Sequence, residues 1–141
     1  ACQGGLAFSN SSVCLVHGMS RPIGAVFHVP HGLSNAVLLP AVTAFSITGA
    51  PNRYADIARA MGLALPDTPD DAAASALADG LEALNRKLNV PRLRDCPGVD
   101  SARFERLLEK MASDALASGS PQNNPVVPTA AQTVELYRQA W

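Results

Sequence analysis

Charge is what this sequence lacks most. Only 16% of its 141 residues are charged, compared with about 25% in an average soluble protein. The net charge is −1 and the basic residues form no cluster, which argues against nucleic acid or an anionic membrane surface as a partner. Such a low charge also indicates that part of the surface is covered by another domain or protein.

Paired cysteines, membrane spans and targeting signals are missing as well. Cys2, Cys14 and Cys96 are odd in number and show no C-x-x-C spacing, which is typical of reduced thiols in a cytoplasmic protein. No uncharged apolar run reaches about 18 residues without a glycine or proline, so we expect no membrane-spanning helix. No basic segment precedes a leucine-rich core, so no signal peptide is predicted. Because the sequence does not begin with Met, we expect it to be part of a longer protein.

Alanine and leucine supply most of the apolar content while aromatic residues make up only 5%, a mixture that favours helices. No strand pattern or internal repeat is found, so the sequence predicts an all-α domain of about six helices. Pro22 predicts a kink or break near residues 18–24, because its ring would press on the Gly18 carbonyl. The predicted helices cover residues 1–18, about 30–46 with a bend at Pro40, 51–62, 68–88, about 101–117 and 129–141.

Helix-start signals support several of these boundaries. Thr68 with Asp71, and Thr129 with Gln132, have the spacing of a capping box, and Asp100 is placed to cap the helix that follows it. Gly62 is a typical C-terminal stop signal. The inward faces of the fourth and fifth segments are predicted to carry Leu77, Leu81, Leu84, Leu88, Phe104, Leu107, Leu108 and Met111.

All three histidines of the chain lie within residues 17–31, in a segment rich in glycine and proline. His17 and His31 stand on either side of the predicted break, so a chain that turns back there could direct both imidazoles into one cavity. Imidazole binds zinc, iron, copper and nickel, so the pair does not identify a metal, and two ligands do not complete a site. The alternative is that these histidines only cap helix ends. Pro30 separates His28 from His31, which indicates a surface position for His28.

Other chemistry-bearing motifs are weak. The sequence has no G-x-G-x-x-G or G-x-x-x-x-G-K-[ST] loop and no nucleophile elbow. Arg21 follows His17 by four residues and shares its helix face if the helix continues that far. The alternative for Arg21 is an ordinary solvated side chain.

The stretch "GLAFSNSSVCLVHGMSRPIGAVFHVPHGLSNAVLLPAV", residues 5–42, resembles the metal-binding segment of the iron-containing (group III) alcohol dehydrogenases. "RYADIARAMG", "ALNRKLNVPRLRD" and "VELYRQAW" resemble later helices and the C-terminus of that family, so the resemblance covers essentially the whole chain. It implies that residues 1–141 are the all-helical C-terminal domain of a two-domain, dehydroquinate synthase-like fold. The N-terminal NAD(P)-binding α/β domain would lie outside this sequence.

The resemblance also implies a metal site. The family binds Fe²⁺, and sometimes zinc, through one aspartate and three histidines, two of which match His17 and His31. The aspartate and the remaining histidine would come from an upstream segment. Arg21 falls where relatives often carry a second histidine, and Phe8 matches an aromatic residue of the substrate pocket. Since nine residues of straight helix would place Phe8 opposite His17, this match requires a break near Asn10–Ser12.

The function implied by the resemblance is reversible hydride transfer between an alcohol or aldehyde and NAD or NADP, with the metal as Lewis acid. The expected partners are the N-terminal nucleotide-binding domain, a small alcohol or aldehyde, and further copies in a homo-oligomer. This chain alone is expected to be inactive. Two alternatives stay open: a freestanding helical interaction module with incidental histidines, and a zinc-using relative such as a glycerol dehydrogenase.

Overall fold

A computed structural model describes residues 2–141, and within them the regular secondary structure is all helical, with no strand. The prediction of an all-α domain is therefore confirmed. Ala1, the first residue of the predicted opening helix, lies outside the described residues. The α-helices are α1 (Cys2–Ser11), α2 (Leu15–Phe27), α3 (His31–Ser46), α4 (Pro51–Ala60), α5 (Asp70–Lys87), α6 (Ser101–Ala117) and α7 (Ala130–Gln139), with short 3₁₀ helices at Ile47–Gly49, Leu93–Asp95 and Ser120–Asn123.

The first predicted helix is two helices. The chain breaks between α1 and α2 at Ser12, whose φ of 65° lies in the left-handed region that ends helices. Residues 1–18 were expected to form one helix because apolar residues continue through Leu15 and Val16. However, none of the described residues in α1 is buried, so no packing holds that helix in line with α2.

Of the predicted kink or break at Pro22, the break is wrong, because α2 runs through this residue to Phe27. A proline inside a helix costs about 3 kcal/mol, and burying one large apolar side chain contributes about 1.5–3 kcal/mol. Leu15, Met19 and Ile23 lie along one face of α2 and are fully buried, so their packing offsets the cost of the proline. The chain turns only at residue 28.

The helix-start signals were right in two places and wrong in one. Asp100 accepts a hydrogen bond from the Arg103 N–H at 2.7 Å, and Thr129 with Gln132 forms a complete capping box. Thr68 caps nothing, because its hydroxyl accepts from the Leu65 N–H in the preceding turn. The residue before α5 is instead Pro69, which has no capping side chain.

The main core is formed by α2, α3, α6 and α7, and a smaller cluster joins α4 to α5. Leu77 and Leu81 are buried in the smaller cluster, whereas Leu84 is 40% and Leu88 63% exposed, contrary to the prediction of one buried face. Because α5 has 18 residues and α4 only 10, the end of α5 extends past its partner. Phe104, Leu108 and Met111 are buried as predicted, and Leu107 is half-buried.

Residues His31–Gly49 form a helical segment long and apolar enough to count as a candidate membrane span. This is a weak indication, because Val37, Leu38, Val42 and Thr43 of the same segment are buried in the domain core, as in the core helix of many proteins. The apolar character of α3 is therefore explained by its packing.

Gly49 provides the first testable consequence of this packing. A Cβ on Gly49 would lie 2.6 Å from the Pro125 carbonyl oxygen, a backbone atom that cannot rotate away. We expect Gly49→Ala to lower the free energy of unfolding by about 1–3 kcal/mol, as overpacking usually does. The matched control is Gly24→Ala in α2, whose Cβ would make an ordinary 3.6 Å contact with the Val29 carbonyl oxygen. Denaturant unfolding should show no loss for the control, and equal losses in both variants would contradict the packing described.

Candidate metal and substrate site

The turn between α2 and α3 brings two of the three histidines together. His28 ends α2 in the left-handed conformation with φ of 58°, and its N–H donates to the Gly24 carbonyl oxygen. The chain then runs back beside α2, since the Val29 carbonyl oxygen lies 3.6 Å from where a Cβ on Gly24 would be. Pro30 precedes the first residue of α3, which is His31. This return places His31 next to the N-terminal half of α2.

The imidazole rings of His17 and His31 lie 5.3 Å apart between centroids and are inclined at 57°. A metal ion bound by imidazole lies about 2.0–2.1 Å from each nitrogen, so two rings at this separation can share one ion. The pKa of His17 is lowered by desolvation, and further by the positive charges of His31 and Arg21. These effects favour the neutral imidazole, which is the form that binds metals.

The ring of His31 is held by polar neighbours. The Asn35 side-chain amide donates to His31 Nε2 at 3.0 Å, and the Ser20 hydroxyl lies 3.5 Å from Nδ1, at the limit of hydrogen bonding. The Asn35 Oδ1 atom is buried without a partner in the described part of the chain. These contacts fix the orientation of the ring. A metal-bound histidine donates its remaining ring N–H, and the unpartnered Asn35 Oδ1 would accept that N–H once the amide is rotated. Asn35 was missed in the sequence, although its i+4 spacing from His31 would have indicated it.

Both rings open into a cleft of about 670 Å³. The break at Ser12 lets α1 bend over the start of α2, so that Phe8 lines the same cleft although it lies nine residues before His17. His28 is exposed and does not line the cleft. The residues around the cleft are Phe8, Ser9, Asn10, Ser11, Ser12, Val13, His17, Arg21 and His31.

Arg21 lines the cleft and is anchored from a distant part of the chain. Its Nη1 donates to the Ser120 hydroxyl at 3.2 Å. Ser120 belongs to the short helix after α6 and is buried, so this contact fixes one side of the guanidinium group. Nothing local in the sequence indicates this pair, because the two residues are 99 positions apart.

The donor set within residues 2–141 is incomplete. No group of three or more His, Cys, Asp or Glu side chains that could hold a metal ion occurs in that part of the chain. The two imidazoles therefore suit a metal ion only as part of its coordination sphere.

The same helical fold occurs in proteins of known structure. The family model "Fe-containing alcohol dehydrogenase family, C-terminal" matches residues 1–141. The chain belongs to this family. The resemblance stated from the sequence is therefore confirmed. In this chain, α2 and α3 carry the two converging histidines.

Individual relatives agree with the family assignment. Lactaldehyde reductase of Escherichia coli strain K12 is 37% identical over 138 residues, which are 97% of this chain and 35% of that protein. NADPH-dependent butanol dehydrogenase of Clostridium saccharobutylicum is 32% identical over 124 residues, 88% of this chain and 31% of that enzyme. The crystal structure of 1,3-propanediol oxidoreductase superposes with a TM-score of 0.89 at 33% identity, covering 97% of this chain and 35% of that one.

This family member spans about a third of the length of these relatives. It corresponds to their C-terminal helical domain, as the resemblance implied. Nothing in the fold or in these relatives supports the alternative of a freestanding interaction module.

Proposed function

We propose that this chain is the C-terminal, metal-binding part of an alcohol dehydrogenase that transfers hydride reversibly between a small alcohol or aldehyde and NAD or NADP. The observation that carries the proposal is the convergence of His17 and His31 at 5.3 Å in an open cleft. Membership of the family and relatives named as alcohol dehydrogenases support the reaction class.

The two imidazoles would hold Fe²⁺, or zinc, together with an aspartate and a histidine from the N-terminal domain. When bound, such an ion supplies a Lewis acid that polarises the oxygen of the alcohol or aldehyde. The residues of this chain prepare the site: partial burial lowers the pKa of His17 and so favours its neutral form, and Asn35 orients the ring of His31. Phe8 and Val13 provide apolar walls that limit the access of water around the substrate.

A nicotinamide cofactor bound by the complete protein would supply the hydride chemistry. This chain has no glycine-rich dinucleotide motif. We therefore propose that the N-terminal domain binds the NAD or NADP. One relative is named as NADPH-dependent, which makes NADP a cofactor to test together with NAD.

Two further predictions concern the complete protein. Cys2, Cys14 and Cys96 are all free thiols, which supports a reducing compartment such as the cytoplasm. The homo-oligomer implied by the resemblance stays a prediction.

Metal removal tests the proposed function. The complete protein should oxidise short primary alcohols with NAD⁺ or NADP⁺, and dialysis against a chelator should abolish this activity. Addition of Fe²⁺ under anaerobic conditions should restore it, and a parallel addition of Zn²⁺ would show whether zinc substitutes. Full activity in protein shown by elemental analysis to be free of metal would contradict the proposal.

A further inference from the structure

The cleft beside the two histidines is positively charged. His17, His31 and Arg21 are the ionisable side chains that line it, and no carboxylate of the described residues lines it. The guanidinium group of an arginine carries a full positive charge. A molecule that enters this cleft therefore meets a fixed positive charge.

Most hydrogen-bond donors of Arg21 have no partner among the described residues. Its contact with Ser120 uses one N–H group of five, and within residues 2–141 no carboxylate lies within ion-pair distance of it. Several other arginines of the chain do pair with acids, for example Arg59 with Asp70 at 2.7 Å. The anchored guanidinium group thus presents unpaired N–H groups beside the cleft, in the planar arrangement that matches a carboxylate.

The distance between the charge and the histidines suits a short substrate. Arg21 follows His17 by four residues on the continuous helix α2, so the two side chains lie on the same face and are separated along the helix by about 6 Å. An aldehyde whose oxygen lies at the histidines would place an anionic group near Arg21 if two or three carbons joined the two groups.

We propose that Arg21 is a specificity-determining residue that binds the carboxylate of the substrate, so that the enzyme prefers aldehydes carrying a carboxylate two or three carbons from the carbonyl group. The inference rests on the proposed function. A phosphate of the dinucleotide is the less favoured ligand, because phosphates of this kind are usually held by glycine-rich loops at helix N-termini, which this chain lacks.

The test compares two aldehydes of similar size, 4-oxobutanoate and pentanal, in the complete enzyme with its reduced nicotinamide cofactor. Arg21→Gln should lower kcat/KM for 4-oxobutanoate by about 10- to 100-fold, the effect of losing a hydrogen bond to a charged group. It should change kcat/KM for pentanal by less than about 3-fold. Arg21→Lys should retain part of the preference for 4-oxobutanoate, since lysine keeps the positive charge but lacks the paired N–H donors of the planar guanidinium group. Arg106→Gln, an exposed arginine of α6 outside the cleft, is the matched control and should alter neither value.

Product inhibition gives a second readout that does not depend on turnover of the charged aldehyde. With pentanal as substrate, 4-hydroxybutanoate should inhibit the Arg21→Gln enzyme at least about 10-fold more weakly than the wild type, while inhibition by 1-pentanol stays the same. Equal losses for both aldehydes, or no change for either, would overturn the role of Arg21 in substrate choice. A rise in KM for the cofactor alone would overturn it in favour of a phosphate contact. If the wild-type enzyme reduces neither aldehyde, the proposed function itself fails.

Discussion

Replacing His17 or His31 by alanine should abolish both metal binding and turnover in the complete protein. Each ring would supply one of four ligands, and the two ring centroids lie 5.3 Å apart in the same cleft. Loss of a residue that only hydrogen-bonds a ligand usually weakens metal binding or activity by about 10- to 100-fold. Loss of a ligand itself should therefore exceed about 100-fold in kcat/KM. Metal content after gel filtration, determined by elemental analysis, is the measurement that accompanies the kinetics.

His28→Ala is the matched control for both substitutions. His28 is exposed at the end of α2 and does not line the cleft, so its loss should leave metal content and most of the activity unchanged. Its left-handed backbone conformation makes a small loss of stability the main expected effect. Equal damage from all three substitutions would mean that the metal is not held by the His17–His31 pair.

Phe104→Ala should cause the largest loss of stability of the substitutions considered. The ring is 1% exposed and stacks on Trp141 with 4.1 Å between centroids, which ties α6 to the C-terminal end of the chain. Truncation of a buried aromatic ring costs about 3–5 kcal/mol, because it leaves a cavity and removes the stacking contact. The measurement is denaturant unfolding, with the midpoint and the slope determined together.

Two control variants accompany the Phe104→Ala measurement. Phe104→Leu keeps most of the volume and should cost less than about 1.5 kcal/mol. Phe8→Ala removes a phenyl ring of the same size from α1, where the side chain is 54% exposed. It should change the free energy of unfolding by less than about 0.5 kcal/mol. A loss of under 1 kcal/mol for Phe104→Ala, within about the error of such measurements, would contradict its place in the core.

The helical class and most helix positions could be predicted from the sequence because their signals are local. Asp100 and the Thr129–Gln132 pair act on backbone groups within three residues, so their spacing alone identifies the helix starts. Gly62, with φ of 72°, likewise marks the end of α4.

The errors occur where tertiary packing outweighs a local signal. Pro22 does not break α2, because the buried face around Met19 and Ile23 holds the helix together. Thr68 has the spacing of a cap, yet its hydroxyl bonds back to the preceding turn. Leu84 continues an apolar periodicity that α4 is too short to cover.

The site was predictable in part for the same reasons. The clustering of histidines indicated His17 and His31. The sequence placed the turn between them near Pro22, whereas the chain turns at His28. The contact of Arg21 with Ser120 joins residues far apart in sequence, so no periodicity or spacing could indicate it. Long-range pairs of this kind become visible only in the folded chain.

Anomalous diffraction at the iron absorption edge, from crystals of the complete protein loaded with Fe²⁺, tests the central claim most directly. The account predicts one peak between the rings of His17 and His31, about 2.0–2.2 Å from a nitrogen of each, with the remaining protein ligands from outside residues 1–141. A peak at His28, or a metal ion bound without either ring of the pair, would contradict it.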